Sequence, residues 1–571
     1  MIKEISRQLH TVHCLFFYRR YSMSEKGRFY DDLLALTKHL VSIPSVSPTA
    51  GEINIADEIE KNIRAIPYFS QHPDYVITRT LPNDPLGRKN VFALLKGTGE
   101  RQDTIVCHGH MDTVNVDDFG PLKPYAFSCS ELAAHLSSTH LPNDVRHDLE
   151  DGNWLFGRGA CDMKSGDAVF LILLRFLSQP ENRLSGNLLF LFTCDEECEN
   201  TGMVEAVPVI EELCQKFQLH PVLAVNNDYV GPLYQDDPHR YVYTGTVGKI
   251  LASFYILGIE THVGRIYEGI SASAIAARLI DAVDTNPGLC DEYDGEFCQP
   301  PALLKMKDLK TEYNVQTSQA AFIYFNYLIH DREVSDILEE LKQIAVHELH
   351  NYLSDQEIKF QTFCRRTGEI YIPSDAVPHV YTFEELCALC RKRGMNPDSR
   401  IREIAEKDLS AGMDKRDISQ HIVEILCDEA HLFGPAVILF LSPPYCPHNT
   451  LHKEIPAEDS LRQQIIEVAE KTGLEWNEKF QVRHFFPYLS DSSYVKIDDS
   501  YPSMEKTLSN FPAMDTLYPL PLQTIKKLSI PAVNMGVYGR DCHTWTERLY
   551  MPYSFNVLPE LLLNTFRHFL K

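Results

Sequence analysis

LLFLFTCDEE, residues 188–197, is an apolar run of strand length that stops at three consecutive carboxylates, Asp195, Glu196 and Glu197. A run apolar at every position suits a strand buried on both faces, as in a largely parallel sheet covered by helices. NVFALLKG (90–97), TIVCHG (104–109) and LAVNN (223–227) read the same way, and MKSGDAVFLILLRFLSQ (163–179) supplies a helix between two of these strands. The expectation is an α/β protein with a mostly parallel mixed sheet covered by helices. In such a sheet the carboxyl ends of neighbouring strands open onto one crevice, so residues distant in sequence converge there. Five segments each place an acidic residue or histidine just after an apolar run: TIVCHGHMDTV (104–114), WLFGRGACDMKSGDA (154–168), LLFLFTCDEE, PVLAVNND (221–228) and PAVNMGVYGRDCHTWTE (531–547).

Upstream, DDLLALTKHLVSI has apolar residues at helical spacing and stops before Pro44, and SPTAGEINIADEIEKNIRAI begins a second helix. After Gly245 the character changes. Strand ILASFYILG, helix YEGISASAIAARLIDAV, two strands around YNVQTSQAAFIYFNYLI, helix REVSDILEELKQIAVHELHNYL and strand PAVILFLS predict an α+β unit of four short strands with two helices on one face. Residues from about 358 to 430 interrupt it with extra helical and polar sequence. The first domain is therefore expected in two pieces, 28–245 and 451–571, with a second domain, 246–450, inserted between them and a tail at 1–27.

At 571 residues the chain exceeds what one core usually holds. A composition 44% hydrophobic and 23% charged is that of a globular protein, not a disordered one. With 54 Lys and Arg against 79 Asp and Glu, the net charge of -25 repels phosphate backbones and anionic lipid, so nucleic acid is not an expected partner. No apolar run approaches the ~20 residues needed to cross a bilayer. VHCLFFY (12–18) follows Lys3 and Arg7 but leads into Arg19 and Arg20 without a cleavage site, so it is read as tail; the basic residues also fit an organellar presequence, and Met23 an alternative start. Fifteen cysteines, an odd number, favour free buried thiols and a cytoplasmic protein, with Cys387 and Cys390 as core-facing thiols on one helix.

Divalent metals of hard or borderline character take neutral imidazole and carboxylate ligands, and His110, Asp162, Glu197, Asp228 and His543 offer that set. His108 and His110 share a strand face, and Asp112 is placed to accept the second ring N–H of His110, leaving His108 as a hydrogen-bonded neighbour. Asp162 precedes a helix, so it reads either as an N-cap or as a carboxylate bridging two cations. Three charges directly after a buried strand are unfavourable unless solvent or cations compensate them; Glu197 can then bind a cation while Glu196 faces the water held there. Taken singly, Asp228 also reads as an ordinary turn residue, and His543 reads as a surface histidine before a ligand. Their force lies in the shared position at strand ends.

HMDTV, GRGACDMKSG, DEE and CHTWTE, in this order, resemble the co-catalytic zinc peptidase and deacylase family that includes glutamate carboxypeptidase, aminoacylase and succinyl-diaminopimelate desuccinylase. TGTVGKILASFYILGIETHVG resembles the entry to that family's lid or dimerisation domain, and NNDYV, FFPYLSDSSY and GRDCHTWTERLY resemble one subgroup of it. The resemblance implies two divalent ions, Zn2+ foremost with Co2+ or Mn2+ as substitutes, held by His110, Asp162, Glu197, Asp228 and His543, with Asp162 bridging. It implies Glu196 as the base that activates a metal-bridging water, Asp112 as the residue orienting His110, and His262 as the lid histidine that dimeric members extend to a partner's site. The implied activity is hydrolysis of an amide or peptide bond in an N-acyl amino acid or short peptide, by a homodimer formed through the lid. Two features depart from the pattern. Cys198, Glu199 and Asn200 lengthen the turn before Thr201 and Gly202, and FIYFNYLIH (322–330) lacks the arginine with which members grip a substrate carboxylate. The missing arginine and the 358–430 insertion motivate the rival expectation, a catalytically diverged binding or scaffold protein on the same fold.

Overall fold

The computed structural model describes residues 27–571. The tail expected before Gly27, with VHCLFFY and Met23, lies outside the described residues. An eight-stranded sheet runs in the order Val76–Thr80, Lys89–Leu95, Asn187–Thr193, Asp103–His110, His220–Asn226, Ala532–Asn534, His239–Tyr243, Lys479–Arg483. Its middle is parallel, from Asn187–Thr193 through Asp103–His110 and His220–Asn226 to Ala532–Asn534. Antiparallel pairing adds Lys89–Leu95 and Val76–Thr80 at one side, which makes the sheet mixed.

The apolar runs are explained by cover on both faces. Ile105 and Cys107 pack into the core that includes Phe170, Leu173 and Leu174 of helix Lys164–Leu177. Val106, Leu189 and Leu191 point the other way, towards Met203, Val207 and Ile210 of helix Thr201–Phe217. Each such side chain contributes about 1.5–3 kcal/mol on burial, so the register of these strands is strongly fixed. A one-residue slip would exchange the two faces. Among the described residues no helix is long and apolar enough to cross a membrane.

The second sheet has five strands, ordered Ala302–Asp308, Ala320–Ile329, Gly248–Leu257, Ala436–Cys446, His379–Thr382. This corrects two expectations. The partner of Ala320–Ile329 is Ala302–Asp308 and not the polar YNVQTSQ, which forms the connection between them. The sheet is also covered on both faces: Ala252, Phe254 and Ile256 meet helices Ala272–Val283 and Val334–Thr367. Tyr255 and Leu257 meet Phe383–Lys392, Pro397–Ser410 and Lys415–Glu429, all from the insertion. The insertion therefore supplies an edge strand and a third layer. Helix Val334–Thr367 continues past Leu353 because no proline or glycine interrupts it before Gly368, which ends it at φ 79°. Cys387 and Cys390 are buried and free on their helix, as read.

The two sheets are joined by the short pairing of Gly245–Thr246 with Asn449–Thr450 and by a charged cluster beside it. His452 Nε2 lies 3.2 Å from Asp331 Oδ1, just past strand Ala320–Ile329, and Nδ1 lies 3.3 Å from Glu458 Oε2 of helix Pro456–Trp476. Asp331 and Glu458 push the imidazole up to about 9 from 6.5. Because the folded value is the higher, the stabilisation is complete below 6.5 and is lost as pH rises through 9. His452→Gln is expected to cost about 1–3 kcal/mol at about pH 6 and little at about pH 10, read by urea unfolding; a pH-independent cost would contradict this role.

Candidate metal centre

The parallel strands bring the strand-end residues to one rim. His110 closes strand Asp103–His110, Asp162 lies just before helix Lys164–Leu177, Glu196 and Glu197 lie in the turn after Asn187–Thr193, and Asp228 follows His220–Asn226. His110 Nε2 is 3.0 Å from Asp162 Oδ1, 3.8 Å from Glu196 Oε2 and 3.9 Å from Asp228 Oδ1. His543 Nε2 is 3.0 Å from Asp162 Oδ2 and 3.1 Å from Glu197 Oε2. Asp162 thus presents one oxygen to each imidazole, and neither oxygen acts as an N-cap. His543 holds φ at 66°, in the left-handed region that histidine enters more readily than most side chains.

Several buried polar groups fix this geometry. The Asp112 carboxylate accepts the backbone N–H groups of Glu196 at 3.2 Å and Glu197 at 3.0 Å, while His110 Nδ1 sits 3.2 Å from the Asp112 carbonyl and 3.6 Å from its Oδ1. Asp112 therefore orients the Glu196–Glu197 turn as much as it orients His110. On the far side of that turn, Arg88 Nη1 donates to Asp195 Oδ1 at 2.5 Å, and the Asp195 N–H donates to Glu52 Oε2 at 2.8 Å. Asn90 accepts from the Cys194 N–H and donates to the Gly202 carbonyl. The lengthened turn is clamped at both ends, which is how Glu197 still points to His543.

Further supports were not singled out as such in the sequence. Glu547 is buried; its Oε1 accepts from the backbone N–H groups of Cys161 and Asp162, and its Oε2 accepts from Arg158 at 2.6 Å. Asp491 accepts from Thr193 Oγ1 at 2.6 Å and from Asn200 Nδ2 at 3.2 Å, beneath the acidic turn. Gly536 is required by close approach, since a Cβ there would lie 1.6 Å from the Asp228 carbonyl oxygen. Arg158, Glu547 and Asp491 lie in the GRGACD, CHTWTE and LSDSSY blocks, but contacts across hundreds of residues leave no periodic signal. One expectation fails: His108 is buried with both ring nitrogens lacking a hydrogen-bond partner, so it is not a bonded neighbour of His110, and burial pushes it down to about 3.

The electrostatics reflect crowded like charges. Burial raises Glu196, reinforced by Glu197, Asp228 and Asp491, and burial with Asp162 raises Asp228 to about 8. Against burial, His110 and His543 hold Asp162 below the ordinary carboxylate range. Asp162 and Glu197 push His543 up to about 11. Such a set suits cations. Donor atoms of His110, Asp162 and Asp228, and of Asp162, Glu197 and His543, lie within 4.8 Å of one another, and Glu197 Oε1 is buried without a partner. The residues present fit metal ligation.

A family model described as Peptidase family M20/M25/M40 matches residues 106–501. Protein RocB of Bacillus subtilis (strain 168) is 39% identical over 546 residues, 94% of this chain and 94% of that protein. The chain belongs to peptidase family M20/M25/M40. This M20 protein is accordingly a metal-dependent hydrolase acting on carbon–nitrogen bonds. Protein YqjN of the same bacterium is 34% identical over 544 residues, covering 95% of this chain and 97% of its own. In fold, aminopeptidase PepT from Bacillus cereus ATCC 10987 superposes with a TM-score of 0.51 at 13% identity, covering 95% of this chain and 99% of the other.

His262 does not join the M20 cluster within one chain. It is exposed and caps the short 3-10 turn Val263–Glu268 that follows strand Gly248–Leu257, its Nδ1 accepting from the Gly264 N–H. Arg265 pairs with Glu268, and Arg540 pairs with Asp148 and lies over Trp154, so neither compensates for the missing strand arginine. Arg88→Met, which leaves Glu52 and Asp195 buried without their cation, is expected to cost about 3–5 kcal/mol in thermal unfolding, with Asp195→Asn restoring part of the loss; no loss would remove the clamp from the account.

Proposed function

We propose that this protein is a co-catalytic hydrolase in which His110, Asp228 and Asp162 hold one divalent ion and Asp162, Glu197 and His543 the other. The observation that carries the reading is the placement of the two Asp162 oxygens, each 3.0 Å from a different imidazole. The imidazole and carboxylate donors suit Zn2+ first, with Co2+ or Mn2+ able to substitute. When bound, such ions polarise the scissile carbonyl and lower the pKa of water at the site.

The chain's own residues do the rest. Glu196 lies beside the His110–Asp162 pair with its carboxyl raised by burial, so it has the proton affinity to take a proton from the attacking water and return it to the departing nitrogen. Asp112 holds the backbone of Glu196 and Glu197 and the imidazole of His110 in register. The substrate is an N-acyl amino acid or short peptide, and strand Ala320–Ile329 offers no arginine for its carboxylate. His262 is assigned to the site of a second copy, in a homodimer made through the lid; its exposure, and the exposed Leu304 and Met306 on edge strand Ala302–Asp308, support that assembly. We further assign residues 28–245 and 451–571 to the catalytic domain and 246–450 to the lid, and the protein to the cytoplasm, where its free cysteines are stable. The binding-protein alternative rests on the missing arginine and the 358–430 insertion, and the insertion packs as a layer of the second sheet.

Glu196→Gln is expected to keep the wild-type metal content and to lower turnover about 10² to 10⁴-fold in a panel of N-acyl amino acids and dipeptides. Near-normal turnover in that variant would remove Glu196 from the mechanism, and metal-loaded wild-type protein inert across the panel would contradict the hydrolase reading.

A further inference from the structure

Two additions distinguish this chain: the residues Cys198, Glu199 and Asn200 that lengthen the turn after the acidic triplet, and the insertion at about 358–430. They meet in space. Lys415, the first residue of helix Lys415–Glu429 in the insertion, places Nζ 2.6 Å from Glu199 Oε2, across 216 residues of chain. The same ammonium lies over the Tyr518 ring at 5.9 Å, and the Tyr518 hydroxyl donates to the Glu199 carbonyl at 3.1 Å. Glu199 is thus held at its side chain and at its backbone, each time by a residue outside the turn.

A lysine is poorly suited to the helix position that Lys415 occupies. The first turn of a helix favours negative charge, and Asp414 and Asp417 meet that preference, Asp414 by accepting the Arg416 N–H at 3.0 Å. Arg416 is answered locally, its Nε donating to Asp414 Oδ1 at 2.9 Å. Lys415 is answered instead by Glu199, on the acidic turn of the large sheet. The helix that carries it is anchored: Ile418, Ile422 and Leu426 are buried with Tyr255, Leu257 and Leu517, and Lys305 of edge strand Ala302–Asp308 donates to Asp417 at 2.5 Å. The Lys415 and Glu199 side chains are 25% and 38% exposed, so their pairing contributes little to global stability. What it fixes is the path of the turn. Asn200, at φ 53°, closes the turn by donating its N–H to the Asp195 carbonyl at 2.7 Å, and between Glu197 and that closure lie only Cys198, which is exposed, and Glu199.

We propose that Lys415 is a positioning residue for hydrolysis: by holding Glu199 it fixes the acidic turn, and with it the carboxylates of Glu196 and Glu197, to the helical layer of the insertion. A longer turn has more conformations to lose, and a displacement of about 1 Å at a reacting group can cost about 10²-fold in rate. The insertion supplies the restraint that the longer turn needs. The assignment rests on the hydrolase reading above, and Lys415 acts through Glu199, not on the substrate.

The test compares wild type, Lys415→Met, Glu199→Gln, the double variant of these two and Lys415→Arg, all loaded with Zn2+. Zinc content and thermal unfolding are measured first, then kcat and KM on the best substrate of the panel, and then hydrogen exchange of the backbone amides of residues 195–200. In each single variant, zinc content and unfolding temperature are expected to be unchanged and kcat to fall about three- to tenfold with KM within about twofold. The amides of Glu196 and Glu197 are expected to exchange about two- to fivefold faster. The double variant is expected to be no worse than either single one, because both remove the same contact, and Lys415→Arg to restore both readings. Unchanged exchange in Lys415→Met overturns the proposal, and so does an additive loss in the double variant. Exchange is read without turnover, so an inert wild type contradicts the hydrolase reading while the exchange comparison still decides this one.

Discussion

The mutual repulsion of buried carboxylates at one rim of the large sheet is the constraint around which the rest is arranged. Asp112, Asp162, Glu196, Glu197, Asp228 and Asp491 are drawn together around the two imidazoles of His110 and His543. Isolated ionised groups in such surroundings cost several kcal/mol each, so the arrangement persists because strong packing behind it leaves the side chains no retreat. The strands that deliver these residues are buried on both faces, and each turn leaving a strand is tied by further buried hydrogen bonds. Divalent cations are the natural complement to such a charge distribution.

Two kinds of support surround the acidic turn. Asp112 and Asp491 approach from the site side and accept hydrogen bonds from its backbone and from Thr193 and Asn200. Arg88 and Glu52 hold Asp195 from behind, where a left-handed backbone at φ 65° is required to turn the chain. Because the clamps lie on different strands and helices, the orientation of Glu196 and Glu197 depends on the tertiary fold and not on local sequence. The three-residue extension after the acidic triplet is absorbed without moving Glu197 away from His543.

Legibility in the sequence followed the range of the interactions. Strands such as Asn187–Thr193 and the helix Lys164–Leu177 are visible because burial on both faces leaves continuous apolar runs, and the strand-end position of His110, Glu197 and Asp228 follows directly from them. The pairing of Glu547 with Arg158, and of Asp491 with Thr193, leaves no such trace, since each partner alone looks like an ordinary polar residue in a loop. The five-stranded sheet departs from expectation where polar sequence hides structure. Charged Ala302–Asp308 is an edge strand with an exposed face, and the 358–430 stretch proved to be a packed layer whose apolar residues, among them Leu386, Ile422 and Leu426, close the second face of the sheet. His108 shows the opposite error, a polar residue assumed to be bonded that is merely enclosed.

The central claim is that Asp162 is shared by two ions. Anomalous diffraction at the zinc edge from crystals of the metal-loaded protein tests it most directly. The account predicts two peaks separated by about 3.5–4 Å, one beside His110 and Asp228 and the other beside Glu197 and His543, with an Asp162 oxygen on each. A single peak, or peaks remote from Asp162, would contradict it.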